Sequence, residues 1–203
     1  MTSPLLLVTE IPVDPAETAE AISVWQSRTP VVDGAVLYRG TEASTLLELT
    51  PLSDLAQLDD FTAGWREAAP TLAPLSTGDV RRQVLEFVEA PKPVAGELPD
   101  TPYVQLRHVE VKPPVKGDYL DWRVGTIFAE VHKSERIEAF LAYHSVLSTE
   151  PGVMFVSGFS CEPEAYLPTF ASERYAEIAR QAHPRFVTDE GLYTRIYRRV
   201  DAR

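Results

Sequence analysis

The chain has 203 residues, 44% of them apolar and 24% charged, enough for one large hydrophobic core or two small ones. Its formal net charge of −11 argues against a nucleic acid or an anionic membrane surface as partner, because phosphate binding needs a basic face. A single cysteine, Cys161, excludes an intramolecular disulfide and a Cys-rich zinc site. No apolar run reaches the roughly 18 residues of a membrane span, and "MTSPLLLVTEIP" lacks the basic and apolar regions of a signal peptide, so the expected compartment is the cytoplasm.

In chain order, "LLLVTEIPVDPAETAEAISVW" reads as an apolar strand, a Pro-containing loop and an amphipathic helix that carries Trp25. "GAVLYRG" and "STLLELTPL" are short strands around "TEA", followed by the helix "SDLAQLDDFTAGWREAAP" with Ser53 as its expected N-cap. "VRRQVLEFVEA" is the next strand. "APKPVAGELPDTP", with four prolines and a glycine, reads as an extended linker over residues 91–101, between a first domain at 1–90 and a second at 102–203. The second half repeats the first: strand, Pro-containing loop and Trp122 helix in "YVQLRHVEVKPPVKGDYLDWRV", then "AFLAYHSVLST", "VMFVSGFS", the helix "SERYAEIARQAHPRF" and the strand "GLYTRIYRRV".

The segment Ala139 to Ser160 is apolar enough for a buried helix. Its Glu150-Pro151-Gly152 centre argues instead for two strands and a turn, since a helix would lose roughly 3 kcal/mol or more at the proline alone. The order is then β-α-β-β-α-β, twice, which is the ferredoxin-like unit. Such a sheet normally shows water one polar face, yet here both faces are apolar. Phe140, Ala142 and Val146 oppose Leu141, Tyr143 and Leu147, and Val153, Phe155 and Phe159 oppose Met154 and Val156. Two-sided burial predicts that the two sheets close on each other, with helices outside and a mostly apolar interior suited to a small aromatic ligand.

This repeat, with patterns such as "VEVKPPVKGDYLDW", resembles the dimeric α/β-barrel superfamily with both units fused. The expected fold is α+β: two ferredoxin-like units whose sheets pack as a dimeric α/β barrel within one chain. Within that superfamily the chain is similar to the antibiotic-biosynthesis monooxygenases, and in particular to tandem-domain oxygenases that oxidise or open rings of angucycline-type aromatic polyketides. The resemblance implies a polycyclic aromatic polyketide as substrate and dioxygen as co-substrate, with no tightly bound cofactor. It leaves room for reduced flavin (FADH2 or FMNH2) delivered by a flavin reductase, and for a homodimer. A polyketide cyclase using the same groups without dioxygen, or a non-catalytic small-molecule carrier, are the alternatives. Small members of the branch line their cavity with tryptophan, asparagine, tyrosine or arginine; this chain contains no asparagine.

Oxidising a phenol or anthrone without a prosthetic group requires a base, a donor for the resulting oxyanion and a dry pocket. His144, mid-strand among apolar neighbours, is the candidate base, the alternative being a core histidine bonded to a backbone carbonyl. Trp65, a platform for a flat ring, and Tyr38 complete the catalytic candidates. Arg39, Tyr143, Arg107, His132 and Tyr193 are candidate substrate-binding residues. Of His108 and Arg107, adjacent on a strand, one faces the cavity; Tyr193 and Arg195 share a face of the last strand, and an inward arginine would need a partner. His132 and His183 end helices, and Trp25 and Trp122 are expected in the core. There is no H-E-x-x-H and no histidine pair at ligand spacing, so no metal site is expected, although relatives of this fold can bind haem through one histidine. No G-x-G-x-x-G, P-loop or G-x-S-x-G supports dinucleotide binding, phosphate cradling or α/β-hydrolase chemistry.

Overall fold

A computed structural model describes residues 2–28 and 32–200. The first half runs β1 (Leu5–Pro12), α1 (Thr18–Ser27), β2 (Val36–Gly40), β3 (Thr45–Leu52), α2 (Leu58–Leu72) and β4 (Arg81–Lys92). The second runs β5 (Tyr103–Val109), α3 (Lys116–Gly125), α4 (Ile127–Lys133), β6 (Ala139–Leu147), β7 (Val153–Phe159), α5 (Pro163–Tyr166), α6 (Glu173–Ala182) and β8 (Tyr193–Arg199). The 139–160 segment is a hairpin, as its Pro-Gly break demands, and Gly152 takes a φ of 147° that few side-chain-bearing residues tolerate. Ser53 is not the cap before α2. Asp54 is, accepting the Ala56 amide, while Ser53 bonds to Gln57.

All eight strands close into one antiparallel barrel in the order β1-β3-β2-β8-β5-β7-β6-β4. Each half contributes four contiguous strands, and the halves join edge to edge at β2–β8 and β4–β6. Closure leaves no free sheet edge among the described strands and buries one face of the sheet inside the barrel, while helices cover much of the other, which is why the central strands read as apolar on both faces. One parity packs inward: Leu6, Val8, Leu47, Leu49 and Leu85 meet Val104, Leu106, Leu141, Met154 and Val156. The other parity packs under helices, as with Phe140, Ala142, Val153 and Phe155 against Phe128 of α4. Each such large apolar side chain contributes about 1.5–3 kcal/mol.

The two ends of the barrel differ. At one end the Pro-rich segment between β4 and β5 packs Val94 and Leu98 against the interior cluster. At the other lie the C-terminal ends of β1 and β5, the N-terminal ends of β4 and β8, and both hairpin turns. Polar side chains enter the barrel at that second end.

Candidate active site at the barrel mouth

Glu10 is the third inward residue of β1, after Leu6 and Val8, and is 3% exposed. A carboxylate placed so deep is costly unless partnered. Its partners come from β8, 185 positions later: Arg195 Nη1 donates to Oε1 at 2.8 Å and to Oε2 at 3.0 Å. The Tyr197 hydroxyl donates to Oε1 as well. Oε2 thus carries one bond where an ionised carboxylate can accept more. Burial works against the Arg195 charge, but the Glu10 carboxylate outweighs it and holds the guanidinium above its ordinary value. Burial, followed by the same carboxylate, pushes the Tyr197 hydroxyl up. The group is therefore a carboxylate, a permanent cation and a protonated phenol.

This trio lines a cavity of about 580 Å³, within the range that holds polycyclic organic ligands. Gly40 at the end of β2 and Thr45 at the start of β3 form one wall, and Asp79 and Arg81, just before and at the start of β4, the other. Gly40 is required there, since a Cβ would lie 2.3 Å from the Ala43 carbonyl oxygen.

Across the mouth the polar row continues. The Arg195 guanidinium carbon lies 4.2 Å from the Tyr193 ring centroid, and Tyr193 stacks on His108 at 5.2 Å and 17°. Gln83 Nε2 donates to the Tyr193 hydroxyl at 3.1 Å. His108 is 1% exposed; its Nδ1 contacts the Gly191 carbonyl, an acceptor, so Nδ1 is the donor there, and Nε2 has no hydrogen-bond partner among the described residues. A Cβ on Gly152 would stand 3.1 Å from that Nε2, so the β6–β7 turn closes over it.

The strand parities sort the remaining sequence candidates. Tyr38, Tyr143 and Tyr193 point inward. Tyr38 is fully buried with its hydroxyl unpartnered among the described residues, and burial pushes both it and Tyr143 up, so both are neutral phenols in the barrel wall rather than in the lining of the mouth cavity. His144 does not face the interior. It shares the outward parity of Phe140 and Ala142, beside Lys116 and Arg123 of α3, with Nδ1 3.1 Å from its neighbour's carbonyl, Ser145 O. Trp65 lies in the helix layer, 5.9 Å from Trp25, outside the barrel. Arg39 is exposed on the outer face, Arg107 turns outward over Tyr175 of α6, and His132 is exposed at the end of α4. His108, not Arg107, is the inward member of its pair, because α6 and the barrel interior lie on opposite sides of β5.

Glu10 and Tyr197 are the residues that reading the sequence misses. A signal existed for each: Glu10 shares its parity with Leu6 and Val8 in "LLLVTEIP", and Tyr197 shares its parity with Tyr193 and Arg195.

No family model and no curated protein sequence matches the chain. Solved structures do. An "anthrone oxidase-like protein" superposes with a TM-score of 0.72 at 16% identity, over 98% of this chain and 92% of that one. The "Putative monooxygenase" of Fusobacterium nucleatum subsp. nucleatum gives 0.69 at 11% identity, over 98% and 94%. A ferredoxin-fold protein from Listeria monocytogenes, described as related to antibiotic biosynthesis monooxygenases, gives 0.55 at 6%, over 98% and 97%. The chain therefore has the ferredoxin-like barrel fold that these proteins share.

Proposed function

We propose that this protein is an oxygenase whose substrate is a hydroxylated polycyclic aromatic, of the anthrone or phenol type found among polyketide intermediates, bound in the mouth cavity. The observation that carries the reading is the buried Glu10 carboxylate beside the Arg195 and Tyr197 donors at the wall of a 580 Å³ space. The named neighbours of the same fold support it by analogy.

The chemistry follows from that wall. Glu10 Oε2 takes a proton from the substrate's acidic C–H or O–H, and Arg195 Nη2 and Nε, which carry no hydrogen bond to the described residues, stabilise the resulting oxyanion. The delocalised anion reduces dioxygen, and the new C–O bond forms at the carbon that lost the proton. For an anthrone, the ring methylene and one dioxygen become a ketone and one water. Both methylene C–H bonds and the O–O bond break, one oxygen atom stays on the carbon, and the other leaves as hydroxide. The substrate supplies all four electrons, and Glu10 returns its proton to the departing hydroxide. Phenol hydroxylation or ring opening needs two further electrons, and reduced flavin as diffusing co-substrate supplies them.

Haem does not fit this cavity. No histidine lines it, His108 Nε2 is covered by Gly152, and His144 lies on the outer face. The test is dioxygen uptake with 1,8-dihydroxyanthrone, with and without reduced flavin. Uptake that requires the protein supports the reading. Binding without uptake leaves a cyclase or a carrier, and ends it.

A further inference from the structure

Outside the barrel, under the helix layer of the first half, a row of polar residues crosses the sheet. Thr9 of β1 sits opposite Glu48 of β3 on one side and Arg82 of β4 on the other. Glu48 is fully engaged: it accepts from the Trp25 indole at 2.6 Å, from Thr50 at 3.1 Å and from Arg28. Its neighbours are not. Among the described residues, Thr9 Oγ1 and Arg82 Nε and Nη2 are buried with no hydrogen-bond partner, and no carboxylate forms an ion pair with Arg82. The Arg82 guanidinium instead lies 4.2 Å from the Trp65 ring centroid and 5.4 Å from that of Phe61.

An aromatic face satisfies a cation's charge in part but is a poor substitute for a directed N–H···O bond, so the Nε and Nη2 donors remain idle. Burial pushes the Arg82 guanidinium below its ordinary value, although the Asp79 and Glu48 carboxylates act the other way without forming an ion pair with it. Arg82 also borders a cavity of about 270 Å³ whose other walls are mostly apolar or aromatic, Leu7, Leu58, Phe61, Trp65 and Leu147 among them, with Thr62 and Gln83 as the polar members. Leu147, at its rim, is 57% exposed.

We propose that this cavity is a second binding site, for a small aromatic monocarboxylate whose carboxylate pairs with Arg82 and whose ring lies among Phe61, Trp65 and Leu147. The guanidinium fork matches a carboxylate in two parallel bonds, and one ring, or two fused, fill a space at the lower end of ligand-pocket sizes. The site is separate from the mouth cavity because successive residues of β4 point to opposite sides of the barrel wall: Gln83 reaches Tyr193 within, Arg82 lies without.

Benzoate is the probe, read by tryptophan fluorescence because Trp65 lines the site. Saturable quenching is expected, at least tenfold weaker with neutral benzyl alcohol and at least tenfold weaker in Arg82→Met. Loss of the quenching amplitude in Trp65→Phe locates the ring. Leu147→Glu, at an exposed position that spares the fold, places a like charge at the rim and is expected to weaken benzoate at least tenfold. No saturable response at about 10 mM benzoate overturns the proposal. So does equal binding by wild type and Leu147→Glu, or an equal response to chloride.

Discussion

Replacing Glu10 with glutamine keeps the shape of the side chain and removes its charge. In the native protein that charge accepts two contacts from Arg195 Nη1 and one bond from Tyr197. A hydrogen bond to a charged group is worth about 1.5–3 kcal/mol, which would suggest a large loss. Arg195, however, is 36% exposed, so water takes over part of its solvation and its share falls to roughly 1 kcal/mol or less. Tyr197 is 1% exposed and can still donate to the neutral amide oxygen, losing only the charge-assisted part. The expected destabilisation is about 1–2 kcal/mol, read as a lower urea midpoint at unchanged slope. Turnover should fall further, by about 10²–10⁴, because the proton acceptor is gone. A double mutant with Arg195→Met should be less unstable than the two single losses added, by about 0.5 kcal/mol or more, since each partner already lacks the other. If Glu10→Gln unfolds at the wild-type urea concentration and consumes dioxygen at the wild-type rate, the buried pair is neither a structural nor a chemical centre.

Three further outcomes are expected. His144 is held below its ordinary value first by burial and then by Lys116, so the unfolded chain takes up its proton before the folded one does. Its contribution is neutral above about pH 6.5 and becomes a penalty as pH falls toward the folded value; His144→Gln should flatten urea midpoints between about pH 7 and 5, and parallel curves would contradict the outward, desolvated placement. Tyr38→Phe removes a buried hydroxyl that has no partner, so stability should be unchanged or rise by up to about 1 kcal/mol, with a drop of more than that in thermal or urea unfolding counting against the assigned environment. Gly152→Ala forces a Cβ to 2.4 Å from the Val109 carbonyl oxygen at a φ of 147°, and should cost more than about 2 kcal/mol; a folded variant of wild-type stability would mean the β6–β7 turn is built otherwise.

Local chemistry was enough to reveal the repeated order of elements. The Pro-Gly break at 151–152 cannot sit inside a helix, and apolar residues at two-residue spacing mark the strands. These are interactions among residues close in the chain, so their signals survive in a single sequence. The absence of a polar face on the central strands likewise foretold two-sided burial, because an apolar face left in water would be costly.

The same apolarity hid which parity faces the cavity. On β6, Leu141 and Tyr143 enter the barrel while Phe140, Ala142 and His144 turn to the helices, and the two sets are alike in hydrophobicity. Trp65 and Arg107 were unreadable for the same reason, since helix layer and barrel interior reward the same residue types. The pairing of Glu10 with Arg195 was beyond local reading altogether: 185 residues separate them, and they meet only because β2 joins β8 and brings the ends of the chain to one rim. Strand composition thus determined that a closed, two-layered barrel would form, whereas edge-to-edge closure, a property of the whole sheet, decided which charges were brought inside and given partners.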